Sequence, residues 1–189
     1  MSAETVWSVV GILLVAAIAF ILVYNAMVRL RNRAEEAWSG IDVQLRRRHD
    51  LVPNLVEVVK GYAAHERETL ERTTQARADA MRALGSSPSA EAEAEASLSG
   101  ALGGLRAVVE DYPDLRATEN FQRLQRDLTE VEDEIQAARR IYNSNTRIYN
   151  TKIQVFPNSI VARLAGFRRR EFFELPDGSG REPVQVTFG

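Results

Sequence analysis

Apolar and polar positions along the chain fall into three regimes. From residue 6 to residue 28 no side chain is charged, and the centre of the run reads VVGILLVAAIAFILV. At about 1.5 Å per residue this run predicts a helix of about 35 Å, more than the hydrocarbon core of about 30 Å requires. Trp7 and Tyr24 stand near its ends, where interfacial aromatics belong, and Val6, Val15, Phe20 and Val23 are positioned to meet lipid. A cleaved signal peptide needs a basic start, a shorter apolar region and small residues at its end. Here nothing basic precedes the run except the terminal amine, and Ala16, Ala17 and Ala19 lie in mid-span. The pattern predicts an uncleaved membrane anchor.

The second regime begins at Met27. Apolar residues recur at Met27, Leu30, Ala34, Ala37, Trp38, Ile41, Leu45, Val52, Leu55, Val59 and Tyr62, which is helical spacing with polar residues between. Positions 48 and 49 are the gap in the stripe, and its phase survives Pro53, which predicts one long, kinked helix rather than two. Weaker periodicity follows through Leu70, Thr73, Ala80, Met81 and Leu84. Gly61 and the charged patch around His65 admit either a second helix or a continuation of the first. Gly85, Ser86, Ser87, Pro88 and Ser89 predict a loop. A helix resuming near Ala90 would carry Leu98, Leu102, Leu105, Val108, Val109 and Tyr112 up to Pro113. Gly100, Gly103 and Gly104 inside it each cost about 1 kcal/mol relative to alanine in an exposed helix, so either a neighbouring helix packs closely there, the preferred reading, or this helix is the weak one.

The third regime is a seven-residue repeat. Phe121, Leu128, Ile135, Tyr142, Tyr149 and Phe156 fall at intervals of seven, with Leu124, Val131 and Ala138 between them, in a helix starting near Thr118. That seam predicts coiled-coil-like packing. It turns polar at Asn145 and Lys152, while Ile141, Ile148 and Ile153 shift the apolar stripe sideways. Pro157 and Asn158 end the run. A short amphipathic segment, residues 160–167, leads to Arg168, Arg169 and Arg170 and then Phe172 and Phe173. Residues 176–180 have linker composition and predict a flexible tail, and the alternation in residues 184–188 is compatible with a strand added to a partner's sheet edge, an unstructured end being the preferred reading.

Charge changes the picture in one respect. The 24 basic and 26 acidic residues of the 189 nearly balance, against nucleic acid as a partner. Arg29, Arg31, Arg33, Arg46, Arg47 and Arg48, however, all follow the apolar run and none precedes it. Because basic residues collect on the cytoplasmic flank of a span, the N-terminus is expected outside and the rest of the chain inside. Arg29, Arg31 and Arg33 would lie at the lipid surface, and Arg168, Arg169 and Arg170 suit an interfacial segment beside residues 160–173. The triplet at 46–48 lies about 27 Å along the helix, several Debye lengths away, and reads as a salt-bridged face or a protomer interface.

Candidate chemistry is sparse. With no cysteine and two histidines, disulfides, thiolate metal sites and multi-histidine centres are excluded. His65-Glu66 resembles the start of a zinc-protease motif, but Thr69 stands where the second histidine is needed. His49, Asp50, Asn54 and Glu57 could be drawn as a metal site and read better as an ordinary helix face. The doublets Tyr142-Asn143 and Tyr149-Asn150 read as core tyrosines whose hydroxyls reach the rim, in preference to a recognition element. No phosphate loop, nucleophile elbow or paired carboxylates appear. The residues predict no catalytic site, no metal and no cofactor.

Three blocks resemble one family: YNAMVRLRNRAEEAWSGIDVQLRRRHDLVPNLVEVVKGYAAHE, EDYPDLRATENFQRLQRDL and RRIYNSNTRIYNTKIQVFPNSIVARLAGFRRREFFE. In that order they are similar to the LemA family of bacterial membrane proteins. The resemblance covers residues 24–174 and implies a bromodomain-like cytoplasmic helical bundle behind an N-terminal transmembrane helix. It implies no catalytic residues; one branch is associated with making magnetosome membranes, and others accompany membrane-bound zinc metallopeptidases.

The expected protein is all-α, a transmembrane helix followed by an elongated up-and-down bundle of three or four helices. Its expected parts are an external N-terminus (1–5), the span (6–28), the bundle (29–167) and an Arg/Phe segment with a flexible tail (168–189). It is expected in the bacterial inner membrane as a non-catalytic, self-assembling scaffold with lipid and its own copies as partners. The alternatives are an adaptor for another membrane protein, such as a zinc metallopeptidase, and an unrecognised enzyme.

Overall fold

The computed structural model describes residues 3–174, which contain six helices and no strand: α1 (Ala3–Lys60), α2 (Arg67–Ala83), α3 (Pro88–Glu110), α4 (Pro113–Ala117), α5 (Glu119–Gln154) and α6 (Asn158–Leu164). The chain is an all-α helical bundle with a long apolar helix at its N-terminus. The expected tail and its strand-like end lie outside the described residues.

Helix α1 passes from the apolar run into the amphipathic stripe without interruption, through Pro53. Up to residue 22 every described side chain of this helix is exposed, and the helix is long and apolar enough to cross a membrane. Met27 is the first fully buried position. The helix stops at Lys60: Gly61 and Ala63 donate back to the carbonyls of Glu57 and Val59 at 3.2 and 2.8 Å, and a new helix starts at Arg67. The open choice at Gly61 therefore resolves as two helices.

The chain divides into two compact units, one formed by residues 3–45 and 132–172, the other by residues 46–131 with 173–174. In the second unit, the end of α1, all of α2, α3 and α4, and the start of α5 enclose two apolar clusters. Leu55, Val59, Leu105, Leu115 and Phe121 centre one, and Val52, Ala76, Leu98 and Ala101 the other. The loop between α2 and α3 turns at Gly85, whose φ of 82° favours glycine. Helix α3 resumes two residues earlier than Ala90. The Ser87 hydroxyl caps the Ala90 amide at 3.3 Å, and Pro88 occupies a first-turn position where a missing N–H costs nothing. Thr118 opens α5 the same way, accepting from the Phe121 amide while its hydroxyl donates to the Leu115 carbonyl.

Close packing at Gly100, Gly103 and Gly104 is not found: a Cβ built at any of the three meets nothing within 4 Å, and all three face outward. These glycines weaken an exposed helix face and meet no neighbour among the described residues.

In the first unit α1, α5 and α6 share a core of Met27, Tyr149, Ile153, Val161 and Ala162, flanked by Val23, Leu30 and Phe167. Along α5, Phe121, Leu124, Val131, Ile135, Tyr142 and Tyr149 are buried and Leu128 is half-buried. The seam then departs from the heptad. Burial moves to Thr146 and Ile153, Ile141 and Ile148 face outward, and Phe156 lies beyond the helix, 80% exposed. A helix of 3.6 residues per turn drifts by about 20° per heptad, so after three heptads position 146 faces the core better than position 145.

Candidate functional site

Three groups of residues carry the chemistry of this chain. The first is the apolar run. Val6, Trp7, Val15 and Phe20 are exposed, Val23 is half-buried and Tyr24 touches Phe167 edge to face at a centroid distance of 5.5 Å.

The second group lies in the same unit, where α5 grips an extended stretch of its own chain. The Tyr149 hydroxyl donates to the Arg168 carbonyl at 2.9 Å and the Tyr142 hydroxyl to the Glu171 carbonyl at 2.8 Å. Asn150 binds Arg170 twice: its amide donates to the carbonyl at 2.9 Å and its oxygen accepts from the backbone N–H at 2.9 Å. A segment outside any helix or sheet thus finds its backbone partners in side chains. The tyrosines keep their rings in the core, Tyr142 against Trp38 at 5.0 Å, and extend their hydroxyls to the rim. Burial raises the Tyr149 phenol above its ordinary value, against the opposing pull of Arg170 and Arg31, with Glu35 reinforcing burial.

The predicted basic flank divides here. Arg170 pairs with Glu35 at 2.9 Å and is half-buried, and Arg31 also reaches Glu35, at 3.8 Å, with its guanidinium over the Phe167 ring. Arg29, Arg33, Arg168 and Arg169 present exposed side chains. Helix α6 ends in a Schellman turn. Gly166 takes a φ of 73°, and the amides of Phe167 and Gly166 return to the carbonyls of Ala162 and Arg163 at 2.9 and 3.4 Å. The turn delivers Phe167 onto α1.

The third group, in the other unit, was hidden in the sequence. Arg48 and His49, at the gap in the α1 stripe, are buried and converge on Glu95 of α3. The Glu95 carboxylate accepts from Arg48 Nη1 at 3.2 Å and from His49 Nε2 at 2.6 Å, while Arg48 Nη2 donates to the Ser99 hydroxyl at 2.8 Å. His49 Nδ1 has no partner among the described residues, so the imidazole proton belongs on Nε2. Asp50 and Glu57, the supposed fellow ligands, are exposed, and no three acidic or imidazole side chains among the described residues are arranged to hold a metal ion. One further contact explains the uninterrupted α1. Pro53 has no N–H to give the His49 carbonyl, four residues earlier, and Arg77 Nε of α2 donates to that carbonyl at 2.6 Å.

Glu95 was obscured by its setting. It sits in the alternating Ala-Glu stretch of residues 90–96, where nothing distinguishes it from exposed Glu93. Glu91 and Glu95, four apart, share a helix face, and only the structure shows that this face is the buried one. Arg47, the exposed member of the triplet, pairs with Glu130 at 3.3 Å, so the triplet serves both a salt-bridged face and a buried ion cluster.

Fold and side chains define an all-α protein whose N-terminal helix is long and apolar enough to cross a membrane. The LemA family model matches residues 37–188, and this chain belongs to the LemA family. It is similar to magnetosome protein MamQ 2 of Paramagnetospirillum magneticum, 30% identical over 87% of this chain and 70% of that protein. Magnetosome protein MamQ of Magnetospirillum gryphiswaldense is 29% identical with the same coverage. Protein LemA of Metamycoplasma hominis is 29% identical over 74% of this chain and 63% of that protein.

Proposed function

We propose that this LemA-family protein is a non-catalytic scaffold of the bacterial inner membrane. Residues 6–28 span the bilayer, with the N-terminus outside and the helical units in the cytoplasm, where the protein assembles with its own copies and organises membrane or partner proteins. The observation that carries this reading is the apolar run of α1, exposed from its start to residue 22 and continuous with the helix that builds both units. Left in water it would expose a large contiguous apolar surface; in lipid the same surface is satisfied, and a continuous helix transmits its position to the units. The arginines that follow the span support the orientation. Exposed Ile141 and Ile148 on α5 support self-assembly, and relatives named for the magnetosome support a role in organising membrane.

The test is the mass of the full-length protein in detergent by light scattering, beside a chain lacking residues 1–30. A discrete multimer that the truncation dissolves is expected for assembly driven in or near the membrane. Monomers in both samples would remove self-assembly and favour an adaptor that gains mass with another membrane protein.

A further inference from the structure

Helix α6 is apolar on two sides. Val161 and Ala162 face inward, in the core with Met27 and Tyr149. On the outward side Ile160 and Leu164, spaced by four, are 53% and 73% exposed, and Phe156, just before the helix, is 80% exposed. An apolar outward face on a helix whose other apolar face is already in the core needs cover of its own, from protein or from lipid.

The position of α6 along α1 identifies the cover. Val161, Ala162 and Phe167 belong to one cluster with Val23, Met27 and Leu30, and Phe167 meets Tyr24 directly. These α1 residues include the end of the uncharged run, which closes at Arg29. From Val23 to Arg29 the helix rises about 9 Å, and an interfacial helix seats its apolar face about 5–10 Å into the boundary between headgroups and acyl chains. Packed at this level, α6 lies at that boundary whenever the run spans a bilayer.

Charge points to lipid over a second copy of the chain. Arg163, Arg168 and Arg169 are exposed on or just after α6, and Arg29 and Arg33 are exposed on the adjoining stretch of α1. A two-fold interface over this outward face would press two such arginine sets together, whereas anionic headgroups neutralise them.

We infer that residues 155–164 form a second membrane contact, with Phe156, Ile160 and Leu164 seated among acyl chains of the bilayer that holds the span, and Arg163, Arg168 and Arg169 among its anionic headgroups. This rests on the proposed anchor. The contact fixes the rotation of α1 about its own axis, because one face of the unit must meet the membrane.

The natural absence of cysteine provides the test. Single-cysteine variants Phe156→Cys, Ile160→Cys and Leu164→Cys replace outward side chains, with Val15→Cys marking the span and Val43→Cys an exposed site on α1 beyond it. The full-length chains, labelled with an environment-sensitive fluorophore, are reconstituted into phosphatidylcholine–phosphatidylglycerol vesicles with brominated acyl chains and titrated with aqueous iodide. The expected result is quenching by bromolipid and shielding from iodide at 15, 156, 160 and 164, with the opposite at 43. Iodide access at 156, 160 and 164, with 15 still quenched by bromolipid, overturns this inference and leaves the anchor standing. Shielding from both quenchers at those three sites overturns it in favour of a second copy. Failure of bromolipid to quench position 15 overturns the anchor reading itself, and this inference with it.

Discussion

The two units draw on the same two helices, α1 and α5, yet handle buried polarity in opposite ways. The unit containing α2 and α3 takes charges inside: Arg48 and Glu95 are buried as an ion pair, and His49 Nε2 donates to the same carboxylate. The unit containing α6 buries uncharged groups, Tyr142, Tyr149 and Asn150, and spends their hydrogen bonds on its own extended backbone, while the Arg170–Glu35 pair stays nearer the surface. Buried ions are costly to separate, so the first arrangement ties α1 to α3 strongly but fails abruptly when one member is lost. Side-chain bonds to backbone are individually modest and fail in steps. The contrast teaches that one chain can fasten α1 to α3 by a buried ion pair and α5 to the segment after α6 by a series of neutral ties.

The largest effect should come from breaking the ion pair. Glu95→Ala strands the buried Arg48 guanidinium, takes the acceptor from His49 Nε2, and should cost about 3–5 kcal/mol in equilibrium unfolding of the detergent-solubilised protein. Replacing Arg48, His49 and Glu95 together by Met, Leu and Leu should recover most of that loss; a triple variant as unstable as the single one would mean that the ions are not acting as a unit.

Next in size is Arg77→Met, which leaves the His49 carbonyl without its donor and should cost about 1–3 kcal/mol. In a Pro53→Ala background the new amide can supply the missing bond, so the same substitution should cost distinctly less. Equal losses in both backgrounds, measured as a double-mutant cycle, would refute the compensation.

On the neutral side, Asn150→Ala removes both bonds to Arg170 and should cost about 1–2 kcal/mol, with faster hydrogen exchange confined to the Arg170 amide and its neighbours. Exchange that accelerates equally around Glu95 would show that the two fastenings are not separate.

The smallest effect concerns alkaline pH. Burial raises the Tyr149 phenol, so the folded protein holds that proton more tightly than the unfolded chain. Stability from this source is complete below the ordinary phenol value of about 10 and declines as pH rises through the raised one. In Tyr149→Phe that alkaline decline should lessen, although the bond to the Arg168 carbonyl is lost at all pH values. A tyrosinate absorbance titration reporting no late-titrating phenol absent from the variant would remove the basis of this expectation.

Much of this was readable from local pattern. The continuous α1, the loop at Gly85 and the buried stripe through Val131 and Ile135 all follow from periodicity and turn chemistry, because each depends on residues within a few positions of one another. The misreadings share a cause. Gly103 and Gly104 suggested close packing, and Phe156 continued a numerical repeat, but whether a neighbour stands opposite a position and where a helix stops are settled by the rest of the chain.

The sequence by itself determined that a run of uncharged residues begins the chain, that helices follow, and that arginines gather on one side of the run, since hydropathy and helical periodicity are properties of neighbouring residues. Only the tertiary structure decided that the gap at Arg48 and His49 is core, that Glu95 and not Glu93 enters it, that Arg77 supplies the bond Pro53 withholds, and that α6 turns Phe167 back onto the end of the apolar run. These pairings join residues 28 to 143 positions apart in the chain. Whether a polar group at such a position is satisfied depends on what folding brings opposite it, and no local pattern encodes that.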